Sequence, residues 1–381
     1  MTFEVGQQLP GIEVGPIAHG GHFVARHEGR VLFVRGALSG ELVDVRITEV
    51  NRRFARAEVS AVHRPSPHRI KPPCPVAGRC GGCDFQHIAP AHTRELKRQV
   101  VVELLDHLGG YHFDGEVEEV PPSPGGWRTR MRYHVGARGQ LGLTAHRSRE
   151  VVELPPQGCF LAVESIARPQ VPAGVKPGQQ VLAVAADSGT RVVAAAGASG
   201  VVTEKVDARQ YQVAVDGFWQ AHRGAAKVLT DAVIEGLHPQ PGELVADLYC
   251  GVGLFAAALA ERGCHVLGVE GDREATELAR RNVVGADFLR GDVGLLVDRL
   301  PQRIDLIVLD PPRTGAGAEV MRHLLERQPR AVGYVACDPA ALGRDLGTAA
   351  QLGYRPTSVT AFDVFPLTHH VECVAILEPT A

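Results

Sequence analysis

Asp247-Leu248-Tyr249-Cys250-Gly251-Val252-Gly253 spans the end of a short apolar run, 244–249, and leads into a helix-forming stretch. The run has the length and composition of a buried strand. The two glycines permit a tight strand-to-helix turn in which backbone approaches a ligand closely. Downstream, apolar runs at 265–269, 286–289, 304–309, 331–336, 358–362 and 371–377 alternate with helical patterns. Such alternation predicts an α/β fold with a mainly parallel, doubly wound sheet whose ligands sit at the carboxyl edge. The link 363–370 is too short for a crossover helix, so the last strand is expected to run antiparallel.

Several polar residues fall at that edge. Ala256 stands where a dinucleotide fingerprint has its third glycine, which speaks against NAD. Glu270 ends the second strand, where a carboxylate accepts ribose hydroxyls. Asp292, in Arg290-Gly291-Asp292, follows the third and can reach an adenine amine. These features suit adenosine without a pyrophosphate, hence S-adenosylmethionine. Asp310-Pro311-Pro312-Arg313 ends the fourth strand, and its prolines fix a backbone that holds the Asp310 carboxylate toward the cofactor. Amino methyltransferases place a stacking aromatic where this chain has Arg313, which argues against chemistry at adenine N6.

Cys337, in Val335-Ala336-Cys337-Asp338-Pro339, ends the fifth strand and precedes a helix, whose N-terminus is expected to lower its thiol pKa. Glu372 begins the antiparallel last strand, which brings a general base to the same edge. A thiolate, a methyl donor and a base together solve one problem. Carbon 5 of uracil is a weak nucleophile until a thiolate adds at carbon 6 and makes the ring an enolate. A uridine within folded RNA must first be unstacked to reach such a pocket.

The first 62 residues read as short strands between glycine turns and predict a small barrel of the OB type. Cys74, Cys80 and Cys83 follow, and with Cys159 as fourth ligand they can hold an iron–sulfur cluster or zinc; spacing does not separate the two. Residues 93–108 form an amphipathic helical pattern, 110–215 a β-rich region, and 168–180 a Pro- and Gly-rich loop. The expected domains are therefore 1–62, a central 63–217 and a catalytic 218–381. The 381 residues carry a formal net charge of −3, which by itself argues against a nucleic-acid partner. Arginines nevertheless cluster at Arg46, Arg52, Arg53, Arg56, Arg64 and Arg69 with Lys71, and again at Arg128, Arg130 and Arg132, as phosphate contacts would. No apolar run is long enough to span a bilayer and no secretory signal pattern occurs, so a cytoplasmic location is expected.

With these motifs in order, the chain resembles the RNA uracil-5-methyltransferases acting on tRNA or 23S ribosomal RNA. The likeness runs from a TRAM-like barrel through a cysteine cluster and a central domain to a Rossmann-like methyltransferase domain. Phe218-Trp219-Gln220, 247–253, 310–313, Cys337-Asp338-Pro339 and His370-Val371-Glu372 carry it. The resemblance implies that Cys337 is the nucleophile and Glu372 the base. It implies that Gln220, Tyr249, Glu270, Asp292 and Asp310 contact the cofactor, beside the turn at Gly251. It also implies that Cys74, Cys80, Cys83 and Cys159 bind a [4Fe-4S] cluster with a structural or RNA-positioning role. RNA is the implied partner, and no obligate protein partner is. Two positions depart from the pattern: Leu254 and Asp338 stand where relatives commonly carry Asn. The rival readings are methylation of cytosine carbon 5, which commonly uses a second cysteine in the Pro-Pro corner, and an RNA-binding or ribosome-assembly protein without catalysis.

Overall fold

The computed structural model describes residues 3–380. Five strands open the chain: β1 (Gln8–Ala18), β2 (His22–His27), β3 (Arg30–Arg35), β4 (Leu42–Val50) and β5 (Phe54–Arg64). They close in the order β1-β2-β3-β5-β4, with β1 and β4 pairing antiparallel to seal the barrel. Alternate residues such as Leu32, Val34, Val43 and Val45 fill its interior and are fully buried. Only β3 and β5 pair in parallel.

A long helix, α1 (Pro90–Gly109), comes next, three residues longer at its N-terminal end than its apolar pattern predicts because Pro90 occupies the first turn. Beyond it lie β6 (Val117–Glu119), β7 (Arg130–Val135), β8 (Leu141–Thr144), β9 (Val151–Glu153), the short α2 (Glu164–Ala167), β10 (Gln180–Ala186), β11 (Gly189–Ala194), β12 (Val201–Val206) and β13 (Arg209–Ala214). The expected central segment is not one packed unit. Its strands β11-β10-β7-β8-β9 make a sheet around Trp127, Met131 and Tyr133. The β12–β13 hairpin instead buries Val202, Tyr211 and Val213 in the catalytic core. Strand β6 adds to the edge of the catalytic sheet.

The remaining elements are α3 (Ala225–Leu237), β14 (Leu244–Leu248), α4 (Leu254–Ala260), β15 (His265–Glu270), α5 (Arg273–Asn282), β16 (Asp287–Arg290), α6 (Val293–Leu296), β17 (Leu306–Leu309), α7 (Ala318–Leu325), β18 (Ala331–Ala336), α8 (Pro339–Gln351), β19 (Tyr354–Asp363) and β20 (Glu372–Pro379). The sheet order is β16-β15-β14-β17-β18-β20-β19-β6. Strands β14 to β18 pair in parallel, and β20 lies antiparallel between β18 and β19. Strand order reverses at β14, so the crevice at its carboxyl end is the expected ligand position. Both faces are covered. Along β20, Val374 and Ile376 face α3 and α4, while Cys373, Ala375 and Leu377 face the layer of α1, α7 and α8. No helix among the described residues is long and apolar enough to cross a membrane.

Helix α1 joins barrel to sheet. Leu96 and Val100 enter the barrel core; Val101 and Leu105 enter the core under the sheet. Between them Lys97 is buried, with Nζ 2.5 Å from Asp363 Oδ1 and 3.0 Å from the Phe365 carbonyl. Burial pulls the Lys97 pKa below its ordinary value while Asp363 opposes that. Lys97→Met leaves Asp363 buried without its cation and is expected to destabilise the protein by about 3–5 kcal/mol. The double change Lys97→Met with Asp363→Leu should cost less than the single one. Urea unfolding of the three proteins checks this order.

Candidate active site

One cavity of about 780 Å³ opens at the carboxyl edge of the sheet. Its walls include Gln220, Tyr249, Gly251, Glu270, Asp310, Cys337 and Glu372, seven of the eight residues expected there. The eighth, Asp292, does not line it. Its carboxylate accepts from the Leu295 N–H and caps α6, a common task for an Asp that follows a strand and precedes a helix.

The cofactor side is built by the turn after β14. Tyr249 takes a left-handed φ of 61°, unusual for a residue with a side chain, and Gly251 and Gly253 continue the turn at 55° and 91°. Glu270 stabilises this backbone: Oε2 accepts from the Gly251 N–H at 2.9 Å and Oε1 from the Asp272 N–H at 2.7 Å. Each oxygen retains a lone pair for a ligand hydroxyl. From behind, Asn282 Nδ2 donates to the Val252 carbonyl, and the Tyr211 hydroxyl donates to the carbonyl of Leu254. Leu254 itself is buried under the β12–β13 hairpin. Gln220 is buried in the cavity wall, whereas Phe218 stands 72% exposed at its rim.

The catalytic side follows from strand pairing. Ala336 and Cys373 are register partners on β18 and β20, so Cys337 and Glu372 emerge together at the edge. Asp310 leaves the neighbouring β17. Burial pushes the Asp310 carboxyl up to about 7. Glu372 is raised well above its ordinary value by burial and then by the Asp310 charge. Both carboxyls are thereby weaker acids than usual. The Cys337 thiol is also raised, to about 12, first by burial and then by the Glu372 and Asp310 charges, with Arg313 opposing. The expected lowering by the α8 N-terminus is therefore outweighed in the free protein, because burial, and after it the Glu372 and Asp310 charges, count for more than Arg313.

Several residues of the site escaped the sequence reading. His370 and Phe365 line the cavity, and His370 Nε2 is 3.4 Å from the Arg313 guanidinium. Asp345 is buried on α8 and accepts from the Ala316 and Gly317 N–H groups and from the Tyr334 hydroxyl, which fixes the loop after Arg313. His370 lay within a recognised motif; Asp345 gave no signal, because its partners are backbone groups distant in sequence.

Several of the arginines expected to contact phosphate are paired within the protein. Arg46, Arg56, Arg64 and Arg69 pair with Glu58, Glu49, Glu13 and Glu41 on or beside the barrel. Arg130 is spent on the buried Glu204. Arg52, Arg53 and Lys71 have no ion pair among the described residues.

Cys74, Cys80, Cys83 and Cys159 line one small cavity of about 20 Å³. The Gln86 amide donates to Cys83 Sγ at 3.1 Å and the Gly82 N–H to Cys80 Sγ at 3.4 Å. Burial raises the Cys80, Cys83 and Cys159 thiols, while Arg128, itself largely buried, acts against this at Cys159. Among the described residues no three His, Cys, Asp or Glu side chains stand as a ready metal site.

Comparison with known proteins agrees with this architecture. Residues 3–60 match the TRAM domain, 297–380 the tRNA (uracil-5-)-methyltransferase family and 225–332 the methyltransferase small domain. The chain is 43% identical to an uncharacterized RNA methyltransferase of Streptomyces coelicolor over 99% of its length and 94% of the relative's. It is 30% identical to the 23S rRNA (uracil(1939)-C(5))-methyltransferase RlmD of a Shewanella species, over 96% of its own length and 94% of the relative's. The chain belongs to the RNA uracil-5-methyltransferase family. The tRNA (uracil-54, C5)-methyltransferase of Pyrococcus abyssi, crystallised with S-adenosyl-L-homocysteine, shares its fold with a TM-score of 0.72 at 24% identity, covering 96% of this chain and 99% of that one.

The cavity fits S-adenosylmethionine. Glu270, Asp310 and Glu372 give it an acidic wall suited to a ligand with ammonium and sulfonium charges, and Val252, Ala275 and Leu278 offer apolar surface. Glu270→Ala removes an acceptor for ribose and leaves the Gly251 N–H without its partner. A charged hydrogen bond contributes about 1.5–3 kcal/mol, so Kd for S-adenosylmethionine should rise about ten- to a hundredfold, as read by calorimetry.

Proposed function

We propose that this enzyme methylates carbon 5 of a uridine in 23S ribosomal RNA through a covalent Cys337 adduct, with Glu372 as the base. The observation that carries the mechanism is the placement of Cys337, Glu372 and Asp310 at three adjacent strand ends on one cavity. Full-length similarity to a 23S enzyme supports the ribosomal substrate over tRNA.

Bound S-adenosylmethionine supplies an electrophilic methyl group and a positive charge. The residues do the rest. Cys337 Sγ forms a bond to carbon 6 of the uracil as its proton passes to the Asp310–Glu372 pair. This makes carbon 5 nucleophilic. After methylation, Glu372 takes the proton from carbon 5, the carbon–sulfur bond breaks, and the sulfur regains a proton from the carboxyl pair. Two carboxyls are needed because two protons are held in turn, one returning to sulfur and one leaving to solvent. Both are held above the usual carboxyl range, which suits groups that must hold a proton taken from sulfur or carbon. The cytosine reading has less support, since the corner at 310–313 lacks a second cysteine. A silent RNA-binding protein would not require three ionisable groups to converge on one cavity.

Glu372→Gln should complete methylation but stall elimination, leaving a slow-migrating RNA–protein band in a denaturing gel; Cys337→Ala should give none. Nucleoside mass spectrometry of 23S and transfer RNA, from cells with and without the gene, decides the target. Loss of 5-methyluridine from 23S RNA is expected. Loss from tRNA would move the substrate, and loss of 5-methylcytidine would overturn the chemistry.

The four cysteines would hold a [4Fe-4S] cluster rather than zinc. Donors to sulfur and a buried arginine suit thiolate charge. The cluster would tie 74–83 to the central sheet and take no part in methyl transfer. Protein purified anaerobically should contain about four iron and four sulfide per chain; zinc without sulfide would refute the assignment.

A further inference from the structure

The turn between β1 and β2, His19-Gly20-Gly21-His22, leaves the barrel and rests on both chain segments that deliver the catalytic pair. His19 Nε2 lies 3.0 Å from Asp338 Oδ2, across 319 residues of sequence. Asp338 directly follows Cys337, and its other oxygen accepts from the Ala341 N–H to cap α8 at 2.9 Å. Gly21 seats the turn against the second segment. A Cβ there would come within 2.6 Å of His369 Cβ, and its φ of +76° favours glycine. His369 is held in turn by Asp84 at 2.7 Å and precedes Glu372 by three residues.

An asparagine would cap α8 as well as an aspartate does. The carboxylate differs by placing a negative charge beside a sulfur that must ionise, where Glu372 and Asp310 already oppose ionisation. Arg313 opposes part of this at the sulfur, and the barrel sets a histidine directly against Asp338. We propose that His19 is a positioning residue for Cys337: through Asp338 it holds the nucleophile's turn and neutralises the charge beside it, so that the docked barrel is part of the active site. This rests on the assignment of Cys337 as nucleophile.

The charges around the pair are few. His19 faces Asp338 and, on the same helix α8, Arg344; Asp338 faces His19; Cys337 faces Glu372 on β20, Asp310 and Arg313 after β17, and Asp338. The Asp338 hydrogen bond raises the His19 pKa against burial and Arg344. A His whose pKa is raised in the folded protein holds its charge, and the pair, at low pH and loses both as pH rises through that value.

The test uses the full-length protein and the rate at which iodoacetamide alkylates Cys337, read by peptide mass spectrometry so that the other cysteines do not interfere. His19→Gln keeps a hydrogen-bond donor without the charge. It should slow alkylation about tenfold at pH 6.5, where His19 holds its charge, the effect of one pH unit in the thiol pKa, and lower kcat for methylation more than it raises KM for S-adenosylmethionine. His19→Gln combined with Asp338→Asn should restore the alkylation rate to at least that of the natural protein, because the charge that needed offsetting is gone. A purely structural contact would give neither the slowing nor the rescue. Unchanged alkylation in His19→Gln, with Cys337→Ala inactive, removes the role of His19 alone. Methylation retained by Cys337→Ala removes the nucleophile assignment beneath it.

Discussion

The buried ion pair between Lys97 and Asp363 is the constraint on which the catalytic arrangement depends. It sits where three bodies meet: the barrel core reached by Leu96 and Val100, the sheet core reached by Val101 and Leu105, and the end of β19. Apolar burial presses α1 against both cores but is non-directional. A desolvated ammonium with one carboxylate and one carbonyl as partners is directional, because any shift leaves a charge unpaired at several kcal/mol. Lys97 also binds the Phe365 carbonyl, so the same cation fixes the first residues of the link that leads to Glu372.

The active site trades thiol reactivity for proton capacity. Burial first, and then the two carboxyls, push the Cys337 thiol up to about 12 in the free protein, and few nucleophilic cysteines would gain from such neighbours. The proposed mechanism gives them a use nonetheless, since it holds two protons during one turnover. A cationic cofactor placed against the same acidic wall reverses the balance, favouring carboxylate and thiolate together. On the proposed mechanism the sulfur would then be activated when the cofactor is bound, and a stray electrophile would meet a thiol instead.

Much of this was legible in the sequence for a definite reason. Strand–turn–helix units place their ends at one edge by topology alone, so Glu270, Asp310 and Cys337 could be brought to one cavity from strand order without any side-chain detail. The antiparallel β20, and with it Glu372, followed from a link too short for a helix. What failed was whatever depended on how side chains pair across long separations. Asp292 was read by its place at a strand end, and it caps a helix. The barrel arginines were read as a phosphate surface, and four of the first cluster are paired with glutamates. The Cys337 thiol was read from its helix alone, and neighbouring strands decide its proton affinity. Residues 117–119 look like part of a separate domain, yet they extend the catalytic sheet because β19 offers them an open edge.

The antiparallel last strand explains why so much of the molecule converges on residues 364–371. A parallel strand would begin at the opposite edge and put Glu372 there, far from Cys337. Entry from the carboxyl edge requires the chain to reverse within a few residues after β19, and it does so with Leu367 at a φ of 63°, a conformation that persists only where surroundings over-determine it. Those surroundings come from every part of the chain. Leu367 is buried in the core of the central sheet, and its carbonyl accepts from the N–H groups of both Asp84 and Phe85. Asp84, next to Cys83, binds His369, and Gly21 of the barrel closes over that ring. The cysteine loop and the barrel thus meet the catalytic domain at the segment that local sequence could not hold, which gives both a structural role in catalysis without contact with the reacting atoms.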